Sequence, residues 1–307
     1  MNFEEELLNR FHVFFNNVDL SSTYKPVFLK SIMDLSDFGK PGVVGSQWVE
    51  KVGNQLKVDL NFVVIRYAKY YWDMYYKFNL RQSHTPQDVN IHKFFGDKQD
   101  PHKPPTLTDL AEEKYETLRK EMISKSIKPQ VLKRLNNDLC LYQIINGKNY
   151  ILFDHNIIEF LKKYKGILIP AINFITTRYL EKINSSPRIA EKVLGKIPRS
   201  FLKPDEKKII MKYHDSCFYC GKIEQDYAFD HVIPFDYIYQ TDLFNMVPAC
   251  TSCNGSKSNR LSTREFFNKV LERNKKIKEL KDYSASWYEN LYDKCKLEYH
   301  KGSFFSV

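Results

Sequence analysis

Two cysteine pairs, Cys217-Phe-Tyr-Cys220 and Cys250-Thr-Ser-Cys253, lie about thirty residues apart. In a chain read as cytosolic, paired Cys-x-x-Cys at this separation points to a tetrahedral four-thiolate zinc site rather than to disulfides. Between the pairs, Asp230-His231 stands on the apolar run Phe229 to Pro234, the pattern of a short strand. A polar turn, Asn254-Gly-Ser-Lys257, follows the last cysteine directly. A carboxylate and an amide oxygen are donors that a hard divalent cation prefers. An imidazole, which titrates near neutral pH, suits a general base. Hydrolysis of a phosphodiester needs that set: an activated water, a cation on the phosphate and relief for the leaving oxygen. Neighbouring residues of a strand face opposite sides, so His231 and Asp230 would point apart.

These residues need elements to hold them in register. A closed zinc shell would pin the start of a hairpin to the start of a short helix, making the zinc structural. After it, Ser262-Thr-Arg-Glu265 reads as a capping box opening a helix that buries Phe266, Phe267, Val270, Leu271, Ile277 and Leu280. The remaining cysteines, Cys140 and Cys295, stand alone and read as packing residues.

Asp230-His-Val-Ile-Pro234, then Asn245, then Cys250-x-x-Cys253-Asn254-x-x-Lys257, closely resembles the HNH endonucleases, a branch of the ββα-metal nucleases. Within that branch it is similar to the zinc-stabilised four-cysteine subgroup found among bacterial restriction and anti-phage nucleases. The resemblance covers residues 210–280, about a quarter of the chain. It implies that Asp230 and Asn254 bind Mg2+ or Mn2+ and that His231 activates the water. Asn245 would steady the loop and orient His231, and Lys257 would touch a phosphate or the developing charge. The cut would leave 3′-hydroxyl and 5′-phosphate ends. Asn254 stands where many relatives carry a second histidine, a variant that leans the site towards Mg2+ or Mn2+ over softer metals.

Upstream, Asn2 can cap a first helix with Glu4, Glu5 and Glu6 in its first turn, and a second helix starts near Ser22-Thr23. Leu60 to Leu80 is dense in aromatics. We read this stretch as a buried helix with amphipathic rims in preference to a surface that stacks bases. Gly96 to Pro105 has the composition of a loop, and a charged helical stretch follows, interrupted near Pro129. Asn146-Gly147 between Cys140–Ile145 and Lys148–Phe153 signals a hairpin. Helix then hairpin is also the pattern of a winged helix, which would make residues 110–155 a DNA-reading element. Asp154 reads as the N-cap of a helix from Ile157 to Asn184, interrupted at Pro170. Ser185 to Pro204 is a basic connector, and no internal repeat is evident.

The 307 residues carry 47 Lys+Arg against 37 Asp+Glu, a net charge of +10. From Glu206 onward the surplus is only +2, so the upstream part holds +8 and with it most of any grip on a phosphate backbone. Arg188, Arg199, Lys257 and Arg260 are the candidate nucleic-acid contacts. The first fifteen residues are acidic where a signal peptide would be basic, and no run reaches membrane-helix length, so a cytoplasmic location is expected.

The expected fold is α+β: a mainly helical region with one hairpin, then a zinc-braced ββα-metal domain. The expected divisions are 1–100, 106–205 and 206–307. The expected function is a DNA endonuclease of bacterial restriction or anti-phage defence, acting on double-stranded DNA. A homodimer is expected if it breaks both strands, and a defence-system partner protein is admitted. The alternatives are an effector or toxin subunit gated by a partner, acting on RNA, and a zinc module that binds DNA without cutting.

Overall fold

The computed structural model describes residues 2–83, 105–195, 201–280, 283–299 and 304–306. It divides into two compact units, Met1–Asn184 and Ser185–Val307.

In the first unit, α1 (Phe3–Asn17) starts at Asn2 with a complete capping box to Glu5, and α2 (Tyr24–Met33) follows. Strands β1 (Val49–Val52) and β2 (Gln55–Asp59) form a hairpin around Gly53, whose φ of 59° suits a residue without Cβ. Helix α3 (Leu60–Trp72) runs on through a π turn, Asp73–Lys77. Short helices α4 (Leu107–Ala111) and α5 (Glu116–Met122) lead into a π-helical stretch, Ile123–Leu132, that contains Pro129, and then into α6 (Lys133–Leu139). The second hairpin, β3 (Gln143–Ile144) and β4 (Tyr150–Asp154), leads into the long helix α7 (His155–Ile183).

The four strands make one antiparallel sheet in the order β1-β2-β4-β3. Its central pair joins residues on either side of the division expected near residue 100, with Val58 opposite Ile151 and Leu56 opposite Phe153. The expected hairpin is therefore half of a four-stranded sheet, with β4 a central strand. Its strands are also shorter than expected, because Cys140 turns into the left-handed region (φ 52°) to end α6. Alternate residues of β2 and β4 are buried, and α2, α3 and α7 supply the rest of the core, including Phe28, Ile32, Tyr67, Tyr71, Leu161 and Leu180. Phe62, Tyr67, Tyr71, Trp72 and Phe78 are all buried, as the reading of Leu60 to Leu80 required.

Two expectations fail here. Helix α7 is continuous through Pro170. The ring removes one hydrogen bond, and burial of Leu168, Ile172 and Ile175 on either side carries the helix across. The sheet also contains a repeat that sequence inspection overlooked. Each hairpin passes into its helix through Asp-x-Asn: the Asp59 carboxylate accepts from Asn61 N and that of Asp154 from Asn156 N, both at 2.8 Å.

The second unit begins with α8 (Ile189–Leu194) and α9 (Pro204–Met211). A two-stranded antiparallel sheet follows, β5 (Ala228–His231) with β6 (Met246–Ala249), and the loop between the strands carries α10 (Phe235–Ile238). Helices α11 (Thr251–Lys257), α12 (Arg264–Asn274) and α13 (Ala285–Glu298) complete it. Val232, Ile233, Val247, Phe267, Val270, Tyr288 and Tyr292 form its core. The expected capping box is absent. Helix α12 starts one residue later, at N-cap Thr263, because Ser262 is fully buried and pairs with Phe305 in a parallel bridge. Among the described residues no helix is long and apolar enough to cross a membrane.

Candidate active site and metal centre

The four sulfurs of Cys217, Cys220, Cys250 and Cys253 lie within 4.8 Å of one another. Cys220 and Cys250 Sγ are 3.7 Å apart. Metal–sulfur bonds of about 2.3 Å in a tetrahedron place sulfurs about 3.8 Å apart, so the cluster fits a structural zinc ion. The main chain shapes the first knuckle: Gly221 N donates to Cys217 O at 2.8 Å, and Gly221 itself has a φ of 74°. Phe218 N donates to Pro248 O at 2.9 Å, tying that knuckle to β6. Burial opposes ionisation of Cys217, yet the backbone N–H groups around its sulfur outweigh it and bring the thiol down to about 7.

Strand register sets the next layer. Asp230 faces Val247 and His231 faces Met246 across the β5–β6 pair. Asp230 is 7% exposed and points inward, whereas His231 is half-buried on the other side, as alternation requires. The Asp230 Oδ2 atom accepts from the Tyr219 hydroxyl at 2.5 Å and lies 3.0 Å from the Lys257 ammonium. His231 Nε2 and Thr241 Oγ1 are 3.3 Å apart, and the ring meets Phe235 edge-on at 5.3 Å.

Helix α11 packs on β5. The amide of Cys253 donates to Cys250 Sγ at 3.4 Å, so a metal-site sulfur caps this helix. Asn254 lies three residues before Lys257, on the helix face that reaches Asp230. It is half-buried, and among the described residues its side chain makes no hydrogen bond, which leaves the amide oxygen available to a hard cation. Lys257 does not reach out to solvent. It is fully buried, donating to His231 O at 2.6 Å while paired with Asp230.

Asn245 is fully buried at the end of the loop between β5 and β6. Its Oδ1 accepts from Ile233 N and its Nδ2 donates to Ile233 O, both at 2.9 Å, and the Tyr288 hydroxyl donates to the same Oδ1 at 2.7 Å. Its backbone carbonyl accepts from Val232 N at 2.9 Å, so Asn245 holds both residues that follow His231. Arg273 adds a second brace, donating to the carbonyls of Leu243, Phe244 and Met246. Buried Lys192 adds a third, donating to Tyr237 O and Ser186 Oγ.

Arg188 donates to Gln240 at 2.9 Å, Arg260 lies over the Phe305 ring, and Arg199 is outside the described residues. Tyr219, Arg273 and Tyr288 were not anticipated. Tyr219 had a signal in its position between two metal-binding cysteines, but the other two reach the site only through tertiary packing.

Neither the curated proteins nor the solved structures give a match to this chain. A family model does: HNH endonuclease, over residues 217–260. That segment holds the four cysteines, both strands and the short helix just described, and the chain therefore carries an HNH endonuclease domain within its second unit.

Proposed function

We propose that the chain is a metal-dependent endonuclease that hydrolyses DNA phosphodiester bonds, with His231 as general base and Asp230 and Asn254 as ligands of Mg2+ or Mn2+. The observation that carries this reading is the placement of Asp230 and His231 on β5 and of Asn254 on the helix packed against it, braced by the four-cysteine site. A divalent ion bound there would neutralise charge on the scissile phosphate. His231, on the half-buried side of β5, takes the proton of the attacking water, and Thr241 restrains its ring. Asn245 holds the turn after His231, so the imidazole is placed before substrate arrives.

A site built to recognise phosphate carries no base-edge readout of its own. We assign choice of target to the first unit, whose own surplus of +5 (26 Lys+Arg against 21 Asp+Glu in residues 1–184) suits a polyanionic partner, and the whole to restriction or anti-phage defence. The test is to incubate the zinc-loaded chain with Mg2+ or Mn2+ on plain plasmid, methylated plasmid and a modified phage genome. Cleavage of at least one, with unequal rates among the three, is expected. Equal cleavage of all three contradicts target selection by the first unit. Cleavage of none contradicts a free-standing DNA nuclease and favours one gated by a partner protein or acting on RNA.

A further inference from the structure

Both cysteine pairs of the metal site carry a residue that touches the Asp230 carboxylate. Tyr219 lies between Cys217 and Cys220, and its hydroxyl donates to Asp230 Oδ2 at 2.5 Å. Lys257 lies one helical turn beyond Cys253, and its ammonium is 3.0 Å from that same oxygen. Each donor is buried, Tyr219 at 6% exposure and the Lys257 side chain at 0%. Among the described residues both partners fall on Oδ2 and none on Oδ1. A carboxylate turns about its last torsion in a broad, two-fold well, so an unrestrained aspartate exchanges its two oxygens. Two fixed donors on one oxygen stop that exchange.

We infer that Tyr219 and Lys257 are positioning residues that fix Asp230 with Oδ1 alone facing the divalent ion, so that the four-cysteine site sets the geometry of the cation ligand as well as the fold. This rests on the reading of Asp230 as a ligand of that ion. Lys257 thereby has a different task from the phosphate contact its place in the motif suggests. It also bonds to the His231 carbonyl at 2.6 Å, so one ammonium fixes the base and the ligand together. The ring of Tyr219 is held edge-on between Phe266 at 5.1 Å and Phe305 at 5.0 Å, which fixes where its hydroxyl points.

The test uses the full zinc-loaded chain and Mn2+ alone as probe, with binding followed by electron paramagnetic resonance in the absence of DNA. Cleavage is then measured separately for kcat and KM. Tyr219→Phe removes one hydroxyl and leaves the ring. It is expected to keep zinc and melting temperature, to bind Mn2+ about ten-fold more weakly, and to lower kcat about ten- to hundred-fold with KM for DNA unchanged. Lys257→Met is expected to weaken Mn2+ binding likewise and to leave the salt dependence of DNA binding unaltered. A Tyr219→Phe protein that keeps zinc and binds Mn2+ as the wild type does overturns the inference, as does one that loses its zinc, which would make the tyrosine a folding residue. A Lys257→Met protein that binds Mn2+ normally but shows a higher KM and a flatter salt dependence restores the phosphate-contact role. Failure of the wild type itself to bind Mn2+ overturns the underlying assignment of Asp230, a result separate from the others.

Discussion

Asn245 shows how much one buried amide can hold. It is fully buried and satisfies both polar groups of the Ile233 backbone and the Tyr288 hydroxyl. Asn245→Ala leaves those three groups without partners, each a penalty of about 1–3 kcal/mol. The variant should unfold at clearly lower denaturant concentration and lose activity; a midpoint within error of wild type would remove Asn245 from this role. Lys192 gives a pH-dependent case. Burial pushes its ammonium down from 10.5 to about 7. Between those values the unfolded chain holds a proton that the folded chain has released, so this group makes stability rise with pH from about 7 towards 10.5. Comparing denaturation midpoints at pH 7 and pH 9 should show a smaller rise in Lys192→Met than in wild type. Equal rises would mean that the lysine does not titrate in that window.

At the scale of elements, the four-cysteine site joins the first knuckle, β6 and α11, and together with the β5–β6 pairing it sets Asp230 against the helix that carries Asn254. Cys250→Ala removes a ligand and the sulfur that caps α11, so it should lower zinc content and soluble yield together. Soluble protein with full zinc would contradict that. The four-cysteine cluster and the strand that carries Asp230 were legible in the chain, because metal spacing and strand alternation are local patterns, whereas Asn254 to Lys257, expected as a turn, belongs to α11. The burial of Lys257 was not legible: its place in the motif says nothing about what the ammonium packs against, and the structure pairs it with Asp230. The β1–β2 hairpin was legible through Gly53-Asn54 between alternating residues, yet it escaped notice beside the stronger Asn146-Gly147 signal. The β2–β4 pairing joins strands about a hundred residues apart, which no local pattern announces. The Asp-x-Asn repeat stands at opposite ends of that antiparallel pair, Asp59 opposite Tyr150 and Asp154 opposite Gln55, so the two copies do not meet.

At the scale of the whole molecule, each unit has its own core, and the second alone contains the thiolate site. Chelation of zinc should therefore split thermal unfolding into two transitions, with the second unit lost first and the first unit keeping its own melting temperature. A single transition that shifts as one would show that the units unfold together.

The most direct measurement is single-turnover cleavage of an end-labelled DNA duplex by zinc-loaded wild type and His231→Ala, with Mg2+ present or withheld. The account predicts cleavage by wild type only with Mg2+, leaving 5′-phosphate ends, and a loss of about a hundred- to ten-thousand-fold in the variant while its zinc content and fold persist. Cleavage that survives without Mg2+, or a His231→Ala protein as fast as wild type, would contradict it.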